Sequence, residues 1–278
     1  MAVLVTGGAG YIGSHTCVEL LNAGYDVVVA DNLSNSSEVS LQRVEQITGK
    51  PVAFYRADVR DASKLDEIFE RHDIRQVIHF AGFKAVGESV AKPLMYYRNN
   101  LDSTIGLCEA MLRHKVGELV FSSSATVYSP GNTMPLSETS STGNCTNPYG
   151  WTKFMCEEII MDVVRAHKGF SAALLRYFNP VGAHPSGLIG EDPSGEPGAV
   201  EPAFRIAEGH AEPLLQGIDH LRTALVEGLG RSVAVIDGEP PPGKMGGCRR
   251  LSAADAAGDD EGLHQSVWIQ SNTSGVMR

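Results

Sequence analysis

Val3-Leu4-Val5-Thr6-Gly7-Gly8-Ala9-Gly10-Tyr11-Ile12-Gly13 is the stretch on which the reading of this 278-residue chain turns. Residues 3–6 form an apolar run that is continuous rather than alternating, the pattern of a strand covered on both faces. Residues 12–21 then take up helical spacing. The glycines between them satisfy both Gly8-x-Gly10-x-x-Gly13 and the wider Gly7-x-x-Gly10-x-x-Gly13. Bare backbone in that position can approach a pyrophosphate closely, and the helix N-terminus adds a favourable field. A glycine triplet alone is weak evidence, but between a strand and a helix it points to a dinucleotide site.

The same alternation continues outward. Residues 27–30, 52–55, 77–80, 119–122 and 173–176 read as further buried strands, and residues 65–69, 101–112 and 153–164 as amphipathic helices between them. Ser63 followed by Asp66 resembles a loose capping box for the 65–69 helix. Repeated strand–helix–strand units of this kind imply right-handed crossovers and a doubly wound parallel sheet, an α/β Rossmann-like fold. Residues 1–180 are assigned to this nucleotide-binding domain. Residues 181–278 are assigned to a smaller, atypical or truncated substrate lobe with a divergent, partly disordered tail. Within it, residues 218–229 have helical spacing, 233–236 suit a strand, and 243–262 have little to bury.

Composition narrows the function. With 23 Lys and Arg against 33 Asp and Glu the net charge is −10, unsuited to general binding of nucleic acid or anionic membranes. Five cysteines without a Cys-x-x-Cys pair argue against a disulfide framework or a structural zinc, and no metal is expected. No apolar run is long enough to span a bilayer, and no charged region precedes the first strand. The expectation is a reduced, soluble, cytoplasmic protein.

Asp31 closes the second strand about twenty residues beyond the glycines, where an acid accepts ribose hydroxyls and repels a 2′-phosphate, favouring NAD over NADP. Asp58-Val59 follows the third strand, at the expected adenine edge, with a turn or helix-cap Asp58 as the competing reading. Phe80-Ala81-Gly82 ends the fourth strand with small residues that admit a cofactor, and His79 beside them reads as a packed histidine. Ser124 follows the fifth strand. Tyr149 and Lys153 are four apart, on one face of a helix. A phenol has an ordinary pKa near 10. The Lys153 charge, together with a positively charged nicotinamide ring, would favour the phenolate and make Tyr149 a base for a sugar hydroxyl. Ser124 would bond the reacting oxygen and relay its proton.

The glycine pattern, Ser124 and Tyr149-x-x-x-Lys153 resemble the extended short-chain dehydrogenase/reductase family. The stretches 79–89, 121–128 and 174–184 are similar to its UDP-glucose 4-epimerase branch, and the similarity runs from residue 1 to 197. The resemblance implies bound NAD and interconversion of UDP-galactose and UDP-glucose at C4 through a 4-keto sugar. It implies cofactor contacts at Tyr11, Ile12, Asn32, Lys84, Asn99 and Tyr177 besides Gly7, Gly10, Gly13, Asp31, Asp58, Val59, the 80–82 segment, Tyr149 and Lys153. It implies sugar-nucleotide contacts at Lys84, Ser124, Tyr149, Phe178 and Asn179. Ala125 and Thr126 follow Ser124 where the related dehydratases carry an acidic pair, so the dehydratase reading loses. Family members commonly dimerise through helices like 101–112 and 153–164, but the same apolar stripes fit packing on the sheet. From Gly198 onward the family pattern stops, suggesting a frameshift, a retained intron or a misjoined gene model. Two alternatives therefore stand beside the epimerase: an inactive NAD-binding fragment and a related NAD-linked nucleotide-sugar dehydrogenase.

Overall fold

A computed structural model of the chain describes residues 2–178, 180 and 182–191, together with the backbone of 231–238, 249–250 and 265–271. The first six strands are β1 (Ala2–Thr6), β2 (Asp26–Asp31), β3 (Ala53–Arg56), β4 (Ile74–His79), β5 (Glu118–Ser122) and β6 (Ser171–Tyr177). Between them run α1 (Tyr11–Asn22), α2 (Val39–Thr48), α3 (Ala62–Arg71), α4 (Val86–Ala91), α5 (Pro93–Arg113) and α6 (Pro148–Ala166). The strands lie in the order β3-β2-β1-β4-β5-β6, all parallel. β7 (Arg231–Gly238) continues the sheet in parallel beside β6, and β9 (Gln265–Ser271) and β8 (Arg249–Arg250) add antiparallel strands beyond it.

Strand order reverses at β1, whose neighbours are β2 and β4. There the connections leave to opposite sides and open a crevice at the carboxyl ends of the strands. Alternate residues of each strand feed two cores. Leu4, Val28, Val77, Leu119 and Phe121 pack under α3, α5 and α6 with Leu65, Ile68, Leu107, Met111 and Ile160. Val3, Val5, Val27, Val29, Ile78 and Val120 pack with Val18, Leu21, Leu41 and Val44 of α1 and α2. Each such side chain contributes about 1.5–3 kcal/mol by leaving water. Among the described residues no helix is long and apolar enough to cross a membrane.

The six strands expected up to residue 176 and the helices at 12–21, 65–69, 101–112 and 153–164 are present; the helices run longer than read, β3 lies one residue later at Ala53–Arg56, and Phe80 falls just beyond β4. α5 and α6 start at Pro93 and Pro148, because proline at the first helical turn loses no needed N–H. The 233–236 strand lies within β7. Three readings change. The capping box at Ser63 is replaced by Asp61, whose carboxylate accepts from the Ser63 and Lys64 amides; Ser63 is already inside α3. α2 and α4 went unread, since both are short and bury few apolar side chains: Leu41 and Val44 in α2, and none in α4, whose Val86 and Val90 are exposed. The 243–262 stretch contains β8, its other residues lying outside the described ones, as does 218–229.

Candidate functional site

The glycine turn lies between β1 and α1. Gly7 has φ +72°, and a Cβ there would sit 2.7 Å from the Ala81 amide nitrogen. A Cβ on Gly13 would collide with the Gly7 carbonyl oxygen. Both positions therefore require bare backbone, one for conformation and approach, the other for helix–turn packing. Gly10 caps α1 without any side-chain hydrogen bond, so no side chain competes for the amides of the first turn. Tyr11 turns sideways: its hydroxyl donates to the Gly182 carbonyl at 2.7 Å, and burial pushes the phenol up. Ile12 is half-buried on the first turn.

Asp31 ends β2 and is buried. One of its oxygens accepts the Ala9 amide at 3.0 Å, and the other accepts the Leu33 amide and the Ser36 hydroxyl, each at 2.9 Å. Of the roughly four acceptor positions on a carboxylate, one remains, on the oxygen that faces the glycine turn. Asn32 donates to Asp58 at 3.4 Å and accepts from the Ser34 amide. Asp58 forms the turn of its competing reading, accepting the Arg60 amide, and its carboxyl is held at about 2 by hydrogen bonding to the Arg60 side chain. Val59 turns its side chain into the core.

The crevice floor comes from the end of β4. The Phe80 and Ala81 amides donate to the Thr6 carbonyl, tying this segment to β1. His79 is the packed histidine expected: it bridges Thr6 and Thr104, and burial with the nearby Lys153 lowers it to about 3. Beyond Gly82 the loop is held by Asn100, whose amide oxygen accepts the Phe83 N–H while its nitrogen donates to the Phe83 carbonyl and to Thr152. Asn100 was not read from sequence; its neighbour Asn99 was, and donates to Asn100 at 3.0 Å. Lys84 reaches across to Glu191 at 2.9 Å and lies over the Tyr11 ring.

Ser124, Tyr149 and Lys153 meet at the carboxyl end of β5. Asn147 caps α6 by accepting the Gly150 amide at 2.8 Å, which fixes the turn that carries Tyr149. One turn on, the buried Lys153 ammonium donates to the Ser122 carbonyl at 2.7 Å, with the Tyr149 ring centroid 5.9 Å away. Burial lowers Lys153 to about 8, partly offset by Cys156 and Glu157. The Tyr149 phenol is hydrogen-bonded with Ser124, yet burial raises it above its ordinary value. This differs from the expected depression: in the protein alone Lys153 is engaged with a carbonyl, and desolvation dominates the phenol. The Ser124 oxygen also accepts from the Thr126 amide and hydroxyl.

Tyr177 ends β6 with its hydroxyl buried and without a hydrogen-bond partner among the described residues, and Phe178 follows it half-buried. Asn179 lies outside the described residues. Behind the site, unread from sequence, Glu157 of α6 and Arg176 of β6 form a buried pair with contacts of 2.7 and 2.9 Å, and Ser123 donates to the same carboxylate. The helical spacing Tyr149, Lys153, Glu157 was the available signal; the partner Arg176 is nineteen residues away. Four described cysteines (Cys17, Cys108, Cys145 and Cys156) are buried free thiols.

Residues 3–223 match the NAD dependent epimerase/dehydratase family, extending past Pro197, where the motif resemblance ends. The chain is 59% identical over 215 residues to the UDP-glucose 4-epimerase of Bacillus subtilis, covering 77% of this chain and 63% of that protein. It is 52% identical over 242 residues to the Mus musculus UDP-glucose 4-epimerase, covering 84% and 70%. Among solved structures, the UDP-glucose 4-epimerase from Bifidobacterium longum in complex with NAD+ and UDP superposes with a TM-score of 0.70 at 57% identity, covering 72% of this chain and 59% of that one. The chain thus spans about three fifths of the length of several relatives it matches.

Proposed function

The chain belongs to the NAD dependent epimerase/dehydratase family, and from that premise we propose that it binds NAD and inverts C4 of a UDP-hexose, interconverting UDP-galactose and UDP-glucose through a 4-keto sugar. The observation that carries this reading is the meeting of the Tyr149 phenol, the Ser124 hydroxyl and the buried Lys153 ammonium beside Gly82, at the end of the segment on which the glycine turn packs.

The residues present fit the cofactor. The first turn of α1 has no side-chain cap. Asp31 keeps one acceptor position for a ribose hydroxyl, and Tyr177 presents a buried hydroxyl without a partner among the described residues. Asn32, Asp58 and the Val59 backbone would line the adenine side; Phe80, Ala81, Gly82, Lys84 and Asn99 the middle. When bound, NAD supplies a hydride acceptor and donor for C4 and a positive ring that counters the burial penalty on the Tyr149 phenolate.

The protein's own part is proton chemistry. Tyr149 takes the proton of the sugar O4 hydroxyl and returns it to the opposite epimer, with Ser124 relaying between oxygen and phenol. Lys153 holds a fixed positive charge against the ring, favouring the phenolate. Lys84 leaves Glu191 to meet the diphosphate-bearing substrate, and Phe178 and Asn179 flank the sugar nucleotide. Thr126, which donates to Ser124, holds the place of an eliminating acid, so water is retained. The reading includes a cytoplasmic homodimer through α5 and α6, in which the exposed Ile105 and Met155 become covered, measurable by light scattering on a size-exclusion column.

The test is conversion of UDP-galactose to UDP-glucose by the purified chain with no NAD added. Turnover lost in Tyr149→Phe supports the proposal. Retention of NAD without turnover reduces the chain to a binding fragment, and net formation of NADH assigns a dehydrogenase.

A further inference from the structure

Glu157 stands on the same face of α6 as Tyr149 and Lys153, two turns and one turn further on, with its carboxylate turned to Arg176 and Ser123. Its carboxylate is buried and takes three donors: Nε and Nη2 of Arg176, and the Ser123 hydroxyl. Arg176 is itself buried, lies 4.9 Å from the Tyr128 ring centroid, and reaches the Glu138 carbonyl. Two opposite charges removed from water at this depth are costly, and apolar packing of equal volume would stabilise as well or better. Stability is therefore a poor account of the pair.

What the pair holds is the turn from β5 into the site. Ser123 donates its amide to Leu175 of β6 and its hydroxyl to Glu157. The carbonyl of that same peptide unit, on Ser122, is the acceptor of the Lys153 ammonium. The next residue, Ser124, carries the hydroxyl bonded with Tyr149. The Glu157 carboxylate is thus tied through the Ser123 side chain to a residue whose peptide carries the Lys153 acceptor and whose neighbour carries the relay hydroxyl. We propose that Glu157, clamped by Arg176, is a positioning residue that sets Lys153 and Ser124 against Tyr149 through Ser123. The inference rests on the proposed function only for its effect on turnover; its effect on Lys153 is independent of that reading.

The groups facing Lys153 are Tyr149, Cys156 and Glu157 on α6, His79 on β4, Cys108 of α5 behind Cys156, and Arg176 of β6 behind Glu157. Removing the Glu157 charge leaves Arg176 uncompensated and withdraws the anion that favours the ammonium. In Glu157→Gln, the titration midpoint of Lys153 should fall by about one pH unit. Carbon-13 NMR of labelled lysine side chains in the full chain reads this, with the signal assigned by its loss in Lys153→Arg. The triple variant Ser123→Ala/Glu157→Leu/Arg176→Met replaces the cluster by apolar groups and carries the same measurement if Glu157→Gln does not fold. Its melting temperature should match the parent's, while kcat falls at least about tenfold with KM unchanged. An unmoved Lys153 midpoint, or parental kcat in the triple variant, overturns the proposal. If the parent chain itself does not epimerise, the proposed function fails and the Lys153 midpoint alone decides this inference.

Discussion

Replacing Gly7 by alanine separates the two demands that the glycine turn makes on its backbone. At Gly7 φ is +72°, and the added Cβ would meet the Ala81 amide nitrogen at 2.7 Å and the Ala81 Cα and Phe80 carbonyl carbon at 3.0 Å. None of these atoms is the movable end of a side chain. Gly49, after α2, has nearly the same φ, +66°, but nothing within 4 Å of its Cβ position. Gly49→Ala therefore costs only the left-handed penalty, about 1–2 kcal/mol. Gly7→Ala adds backbone overpacking, about 1–3 kcal/mol more. For a domain of this size the extra term corresponds to roughly 2–4 °C in Tm per kcal/mol. The assay is denaturant and thermal unfolding of both variants beside the parent, with bound NAD measured after purification. The expected result is a larger loss in Gly7→Ala together with depleted NAD, while Gly49→Ala keeps its cofactor. Equal losses in the two variants would refute the claim that close approach to the end of β4, rather than backbone conformation, requires glycine at position 7.

Tyr149→Phe should lower kcat about 10²–10⁴-fold, the span of general acid–base catalysis, with NAD content unchanged by absorbance. Lys153, held near 8 when folded, keeps a proton longer in the unfolded chain. Between about pH 8 and 10 its contribution to stability therefore rises with pH, by up to about 1.4 kcal/mol per unit. The parent minus Lys153→Met difference in urea unfolding across that window should show this positive slope, and a flat difference would contradict it. Asn147→Ala removes the cap of α6, costing about 1 kcal/mol in denaturant unfolding, and should depress kcat more than NAD binding, because the first turn carries Tyr149.

The parallel sheet was legible because its strands are buried on both faces: runs such as Val3–Thr6 and Leu119–Ser122 leave no room for alternation. The glycine turn and the Tyr149–Lys153 pair were legible for a related reason, since spacing along a strand, turn or helix is local geometry. The Asp61 cap lay four residues before the apolar pattern that begins at Leu65, because the first turn of α3 is polar, and α2 lacked a strong apolar stripe, so both passed unread. The Asn100 clasp on Phe83 spans 17 residues and the Glu157–Arg176 pair 19, and no local periodicity links such partners.

By itself the sequence determined the order of strands and helices, the bare backbone at Gly7 and Gly13, and the shared helical face of Tyr149 and Lys153. Each follows from the chirality and sterics of neighbouring residues. Only the tertiary structure decided what surrounds those groups. It filled three acceptor positions of Asp31, turned Val59 into the core and bound Lys153 to the Ser122 carbonyl. It also raised the Tyr149 phenol by burying it and enclosed Glu157 with Arg176. Desolvation and hydrogen-bond partnership depend on which distant segments pack together, and it is these that set the charge and reach of every group in the site.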